Sequence, residues 1–109
     1  MEIDVIEKDY GALVRIEGEV DLYSSPEVRE AVLKLTADKT DVIIVDLSKV
    51  SYMDSSGVAT LVEGLQQTGK YEGRFKLAHL RDAVRDVFEL SRLDKVFDIY
   101  STVEDAEGG

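Results

Sequence analysis

Val42-Ile43-Ile44-Val45-Asp46-Leu47, followed shortly by Tyr52-Met53-Asp54-Ser55-Ser56-Gly57, decides the fold. The first run shows no apolar-polar alternation and is dominated by β-branched side chains. A strand of that composition is covered on both faces, which marks an interior, parallel strand. The second stretch opens a segment in which Val58, Leu61, Val62 and Leu65 recur at helical spacing. Together they read as a strand-to-helix junction. Backbone N–H groups at such a junction lack intrahelical partners, and the helix dipole concentrates positive charge there, so Asp54, Ser55 and Ser56 all suit the position. Whether they only cap a helix, or whether one hydroxyl is also a chemical switch, stays open on these residues alone.

Working outward, Ile3 and Val5 alternate against Asp4 in a run from Ile3 to Lys8 that carries on to Ile6, and Asp9-Tyr10-Gly11 separates that run from Ala12-Leu13-Val14-Arg15-Ile16-Glu17. Two short runs around a glycine-containing break predict a β-hairpin. Gly18-Glu19-Val20-Asp21 ends this region. Ser25 with Pro26 behind it, and Ser24 with Glu27 at capping-box spacing, then give two start signals for a helix. Its buried stripe is Val28, Ala31, Val32 and Leu35, and Asp38-Lys39-Thr40-Asp41 closes it. The helix opened by Asp54-Ser55-Ser56 runs to about residue 67, with Gly69 where a left-handed C-terminal cap is expected. Gly64 inside it costs about 1 kcal/mol relative to alanine and reads as a close approach to the sheet.

Gly73-Arg74-Phe75-Lys76-Leu77-Ala78 alternates, predicting a strand with Phe75 and Leu77 inward. A third helix over 81–91 carries the stripe Leu80, Val84, Val87 and Phe88. Val96-Phe97-Asp98-Ile99-Tyr100 predicts a last short strand, and residues 101–106 a short final helix. Strands alternating with helices give an α/β fold, a single domain over 1–109 whose mixed sheet has a parallel core and an N-terminal hairpin and packs on helices. Sites in such sheets gather where strand C-terminal ends feed helix N-termini, which is where Ser55 lies.

Composition removes several function classes. A net charge of -10 disfavours nucleic acid and anionic membrane as direct partners, since both are bound through lysine and arginine. With no cysteine and one histidine, neither thiol chemistry nor a metal site is supported. No glycine-rich phosphate loop follows a strand. A serine hydrolase would need His79 as its base, but Asp54-Ser55-Ser56-Gly57-Val58 is not a nucleophile elbow and no motif surrounds His79. The N-terminus shows neither the basic start nor the apolar run of a signal peptide, so a cytoplasmic location is expected.

The stretch from Val45 to Leu61, centred on Met53-Asp54-Ser55-Ser56-Gly57, strongly resembles the signature of bacterial anti-sigma factor antagonists, the small STAS domains. Gly18-Glu19-Val20-Asp21 resembles a second motif of that family, and Leu93-Asp94-Lys95-Val96-Phe97-Asp98-Ile99-Tyr100 its C-terminal stretch, in the same order. Val58-Ala59-Thr60 departs from the commoner Leu-Gly-Val type of continuation. The resemblance implies a mixed sheet packed on helices and a phosphorylated serine directly after the aspartate. That role falls on Ser55, with Ser56 as the fallback. It also implies partner contact through Asp21, Asp54, Ser55, Ser56 and Gly57. The implied partners are an anti-sigma factor serine kinase using ATP and Mg²⁺, and a PP2C-type phosphatase. The domain itself would hold no cofactor, act as a monomer rather than an enzyme, and release a sigma factor by partner switching. The competing reading is a STAS subunit of a transporter or sensory complex without sigma-factor control.

Overall fold

The computed structural model describes residues 1–109. Strands β1 (Glu2–Lys8) and β2 (Gly11–Val20) form the antiparallel hairpin, with Lys8 paired to Gly11 across Asp9-Tyr10. Strands β2, β3 (Val42–Met53), β4 (Arg74–Ala78) and β5 (Asp98–Tyr100) run parallel, and the sheet order is β1-β2-β3-β4-β5. Helices α1 (Ser25–Ala37), α2 (Ser55–Gly69) and α3 (Asp82–Leu90) share one face of this sheet. Val28 and Val32 from α1, Leu61 from α2, and Val84 and Phe88 from α3 pack there on Val14, Ile16, Val45 and Leu77. Gly64 is the close approach its position predicts: a Cβ there would stand 2.7 Å from the Phe75 ring and 2.9 Å from Val32.

Strand β3 is twice as long as its apolar run, because it continues through Ser48, Lys49 and Ser51 to Met53. Pairing with β2 slips twice, after Asp46 and again after Val50, each time adding a residue to β3. Such bulges shift which side chains face the core. Val50 and Met53 are thereby buried at a spacing that no simple alternation reveals.

The second face is covered in part by α4 (Val103–Gly108), whose Ala106 meets Leu13, Ile44 and Ala78. This burial corrects the expected alternation in β4. Lys76, which that pattern turns toward solvent, is only 3% exposed. Its Nζ donates to the carbonyls of Ala106 at 2.8 Å and Gly109 at 3.1 Å, placing a cation at the C-terminal end of α4. The Tyr10 hydroxyl, donating to Glu107 Oε2 at 2.6 Å, holds the helix from the hairpin side. Lys76→Met is expected to lower unfolding stability by about 1 to 2 kcal/mol, the lost charge-assisted hydrogen bonds being partly offset by relief of desolvation. Burial holds the Lys76 ammonium below its ordinary value of 10.5. The unfolded chain therefore binds more protons in the alkaline window below 10.5, and wild-type stability relative to Lys76→Met should rise with pH there. Urea melts at two pH values check both statements.

Other differences are local. Gly69 is not left-handed; Glu72, at φ 63°, takes that conformation after α2. The strand predicted over 96–100 shortens to Asp98–Tyr100, because Leu93–Lys95 forms a 3₁₀ turn that carries the chain into it. Phe97 is buried there, edge-on to Phe88 at 5.4 Å. His79 is exposed, with φ 57°, and its backbone N–H donates to the Tyr100 carbonyl.

Candidate functional site

Val20 and Met53 are paired at the C-terminal ends of β2 and β3, so the residues that follow them, Asp21 and Asp54, leave the sheet side by side. The Asp54 amide donates to the Val20 carbonyl at 3.2 Å and ties the two exits together. Gly57 lets α2 begin directly over this point, since a Cβ there would lie 2.8 Å from Val20 and 2.7 Å from Met53.

The cap of α2 belongs to Asp54. Its Oδ1 accepts the amides of Ser56 at 2.9 Å and Gly57 at 3.3 Å, and its backbone is extended, as an N-cap requires. Ser55 is the first residue of the helix, exposed, and its hydroxyl takes no part in this cap. Ser56 is half-buried one position further in. The three polar residues at the junction are thus divided in role, with the carboxylate holding the helix and the Ser55 hydroxyl facing solvent. Asp54→Ala should cost about 1 kcal/mol of stability and Asp54→Asn less than half of that, which the midpoints of urea unfolding would show.

Asp21 organises the neighbouring loop. Its Oδ1 accepts the amides of Tyr23 at 2.9 Å and Ser24 at 3.0 Å. The Ser24 hydroxyl accepts the Asp21 amide and gives its single proton to the Glu19 carbonyl at 2.8 Å, the shorter of its two donor contacts. Ser24 is therefore occupied by the loop and makes no side-chain cap on α1, so the capping box expected with Glu27 does not form; Pro26 in the first turn marks the helix start instead. The Ser24 amide, and after it the Tyr23 amide, hold the Asp21 carboxyl below its usual value, so it is an anion at neutral pH. This folded loop lifts Leu22 and Tyr23 into solvent, Tyr23 being 89% exposed, and Tyr52 beside the junction is also exposed. These apolar groups escaped the sequence reading, which weighed only polar side chains at the junction.

The structure thus brings Asp21, Asp54, Ser55, Ser56 and Gly57 to one end of the sheet and keeps His79 on another loop, after β4. No group of histidine, cysteine and carboxylate side chains is arranged to hold a metal ion. No helix is long and apolar enough to cross a membrane. What this end of the sheet offers is an exposed serine next to the Asp54 cap, with Asp21 at the adjoining strand exit and the exposed Tyr23 and Tyr52 in the segments on either side.

Residues 2–106 match the family model of the STAS domain. The anti-sigma-B factor antagonist of Bacillus subtilis (strain 168) is 33% identical over 109 residues, covering 100% of this chain and 96% of that protein. The protein of the same name from Staphylococcus aureus (strain NCTC 8325 / PS 47) is 28% identical over 104 residues, covering 95% of this chain and 96% of that one. The crystal structure of an anti-sigma factor antagonist from Mycobacterium paratuberculosis superposes with a TM-score of 0.90 at 30% identity, covering 98% of this chain and 91% of that one. With the family model matching almost the whole chain and these relatives agreeing with it in sequence and in fold, the chain belongs to the STAS domain family of anti-sigma factor antagonists.

Proposed function

We propose that this domain binds an anti-sigma factor that is itself a serine kinase, and that phosphorylation of Ser55 ends the binding. Unphosphorylated, the domain occupies the anti-sigma factor and frees a sigma factor; a PP2C-type phosphatase resets the switch. ATP and Mg²⁺ belong to the kinase. The domain works as a cytoplasmic monomer and catalyses nothing itself.

The observation that carries this reading is the division of labour at α2, where Asp54 supplies the cap and leaves the Ser55 hydroxyl exposed for transfer. A phosphate at Ser55 adds a charge of about -1.5 to -2 beside Asp54 and Asp21. Because Asp54 already takes the amides of Ser56 and Gly57, the added phosphate has little left to bond within the domain. Its charge acts outward, on whatever covers this end of the sheet.

The test is incubation with the cognate kinase, ATP and Mg²⁺, followed by phosphosite mapping. One phosphate is expected, on Ser55, absent from Ser55→Ala and retained by Ser56→Ala. Phosphate on Ser56 alone would move the switch one residue along, and phosphate on neither would remove the switch.

A further inference from the structure

The apolar stripe read from the sequence of α1 is fully buried at only two of its four positions. Val28 and Val32 are buried in the core, whereas Ala31 and Leu35 remain partly open. They face Ile3 and Val5 of β1, which point to the helix-bearing side of the sheet, as their pairing with Ile16 and Val14 requires. No helix of the chain covers β1 on this side, so the helix layer stops at α1 one strand short of the sheet edge. The result is an open groove with an apolar floor, in which Val5 is 46% exposed.

The rim of this groove is acidic. Glu7, Glu27, Glu30 and Asp38 line it against a single cation, Lys34. None of these four carboxylates takes part in the chain's ion pairs, which join Lys8 to Glu107, Arg15 to Asp46, Arg29 to Glu63 and Arg74 to Asp98. Their field is therefore directed at solvent. The groove also continues to the Ser55 end of the sheet, because Glu27 borders both it and the hollow formed by Asp21, Tyr23 and Ser24.

We propose that this groove seats a basic amphipathic helix of the anti-sigma factor partner, extending the contact made around Ser55. From Glu27 to Asp38 the wall offered by α1 is about 17 Å long at 1.5 Å per residue, room for about three helical turns. A helix laid there completes the helix layer over β1. Its apolar residues at three- and four-residue spacing meet Val5, Ala31 and Leu35, and its lysines or arginines meet the rim. The proposal rests on the partner assignment above and adds a second, electrostatic contact to it.

Two measurements on the full chain test it. The first probe is a 14-residue helical peptide of leucine and lysine, leucines on one face, titrated while methyl NMR signals are followed. Shifts are expected at Val5, Ala31 and Leu35, and in the double variant Glu30→Lys, Asp38→Lys they should disappear while its melting temperature shows the fold intact. The second is affinity for the anti-sigma factor kinase at low and high salt. The double variant is expected to bind about tenfold more weakly at low salt and to lose most of the salt dependence. Peptide shifts scattered over the surface, or kinase affinity and salt dependence equal to wild type, would overturn the proposal. Ser55→Asp in the same kinase assay reports separately on the switch: if it binds like wild type the switch reading fails, while the peptide shifts still decide the groove.

Discussion

Ser55→Asp is expected to weaken binding to the proposed anti-sigma factor kinase by about two orders of magnitude, while leaving the domain as stable as wild type or slightly more so. The two readouts part because the same charge meets two environments. Within the domain, position 55 is the first residue of α2, and an anion there gains roughly 0.3 to 1 kcal/mol from the helix dipole. Solvent reaches it, and Asp54 keeps its hydrogen bonds to the Ser56 and Gly57 amides. Inside an interface the new carboxylate follows Asp54 and shares this end of the sheet with Asp21, an anion already fixed by the amides of its loop. Desolvating that unmatched charge costs about 3 kcal/mol, which is roughly 150-fold in Kd. Ser55→Asn supplies the control of similar shape without the charge and should stay within a few-fold of wild type. Calorimetric titration together with thermal melts decides the matter. Equal affinity of Ser55→Asp and wild type would remove charge exclusion as the mechanism, and a large fall in melting temperature would mean that the substitution acts through the fold.

Residues whose environment is local were the ones legible in the sequence. The uninterrupted Val42-Ile43-Ile44-Val45 run places an interior parallel strand, and Asp54-Ser55-Ser56-Gly57 places the helix start within one residue of where it occurs. Non-local environments were hidden. Lys76 looks like a solvent-facing position in an alternating strand, and only the return of α4 across the second face buries it and supplies its acceptors. The end of β3 is hidden because two bulges break its period, leaving Val50 and Met53 buried amid polar neighbours. The α1 stripe shows the reverse case. Its four apolar positions are plain in the sequence, but whether each finds a partner depends on where the helix layer ends relative to the sheet. Likewise three residues suited to a cap stand in a row at the junction. Which one accepts the amides follows from backbone geometry: the extended residue is Asp54, so Ser55 falls inside the helix and its hydroxyl takes no part in the cap.

Two glycines of α2 carry opposite expectations, and together they test how the functional end is built. Gly57→Val should destabilise the domain by about 3 kcal/mol, lowering Tm by roughly 12 to 20 °C. The added Cβ would stand 2.7 Å from Met53 Cγ, 2.8 Å from Val20 Cγ1 and 3.1 Å from the Val20 carbonyl oxygen. Val20 and Met53 are both at most 2% exposed, so neither has free space to move into. The start of α2 would have to lift from the β2 and β3 exits, and with it the amide of residue 57 that Asp54 accepts. Kinase binding should fall together with stability, since the same movement displaces Ser55. Gly69→Ala should instead stabilise the domain by about 0.4 to 1 kcal/mol, through reduced freedom of the unfolded chain. Gly69 is the last residue of α2, its φ is not positive, and a Cβ there meets nothing within 4 Å. Had it been the left-handed cap its position promised, alanine would cost stability. The sign of the change in the urea midpoint for Gly69→Ala therefore tests the helix exit, and the size of the change for Gly57→Val tests the close approach that holds Asp54 and Ser55 over the ends of β2 and β3.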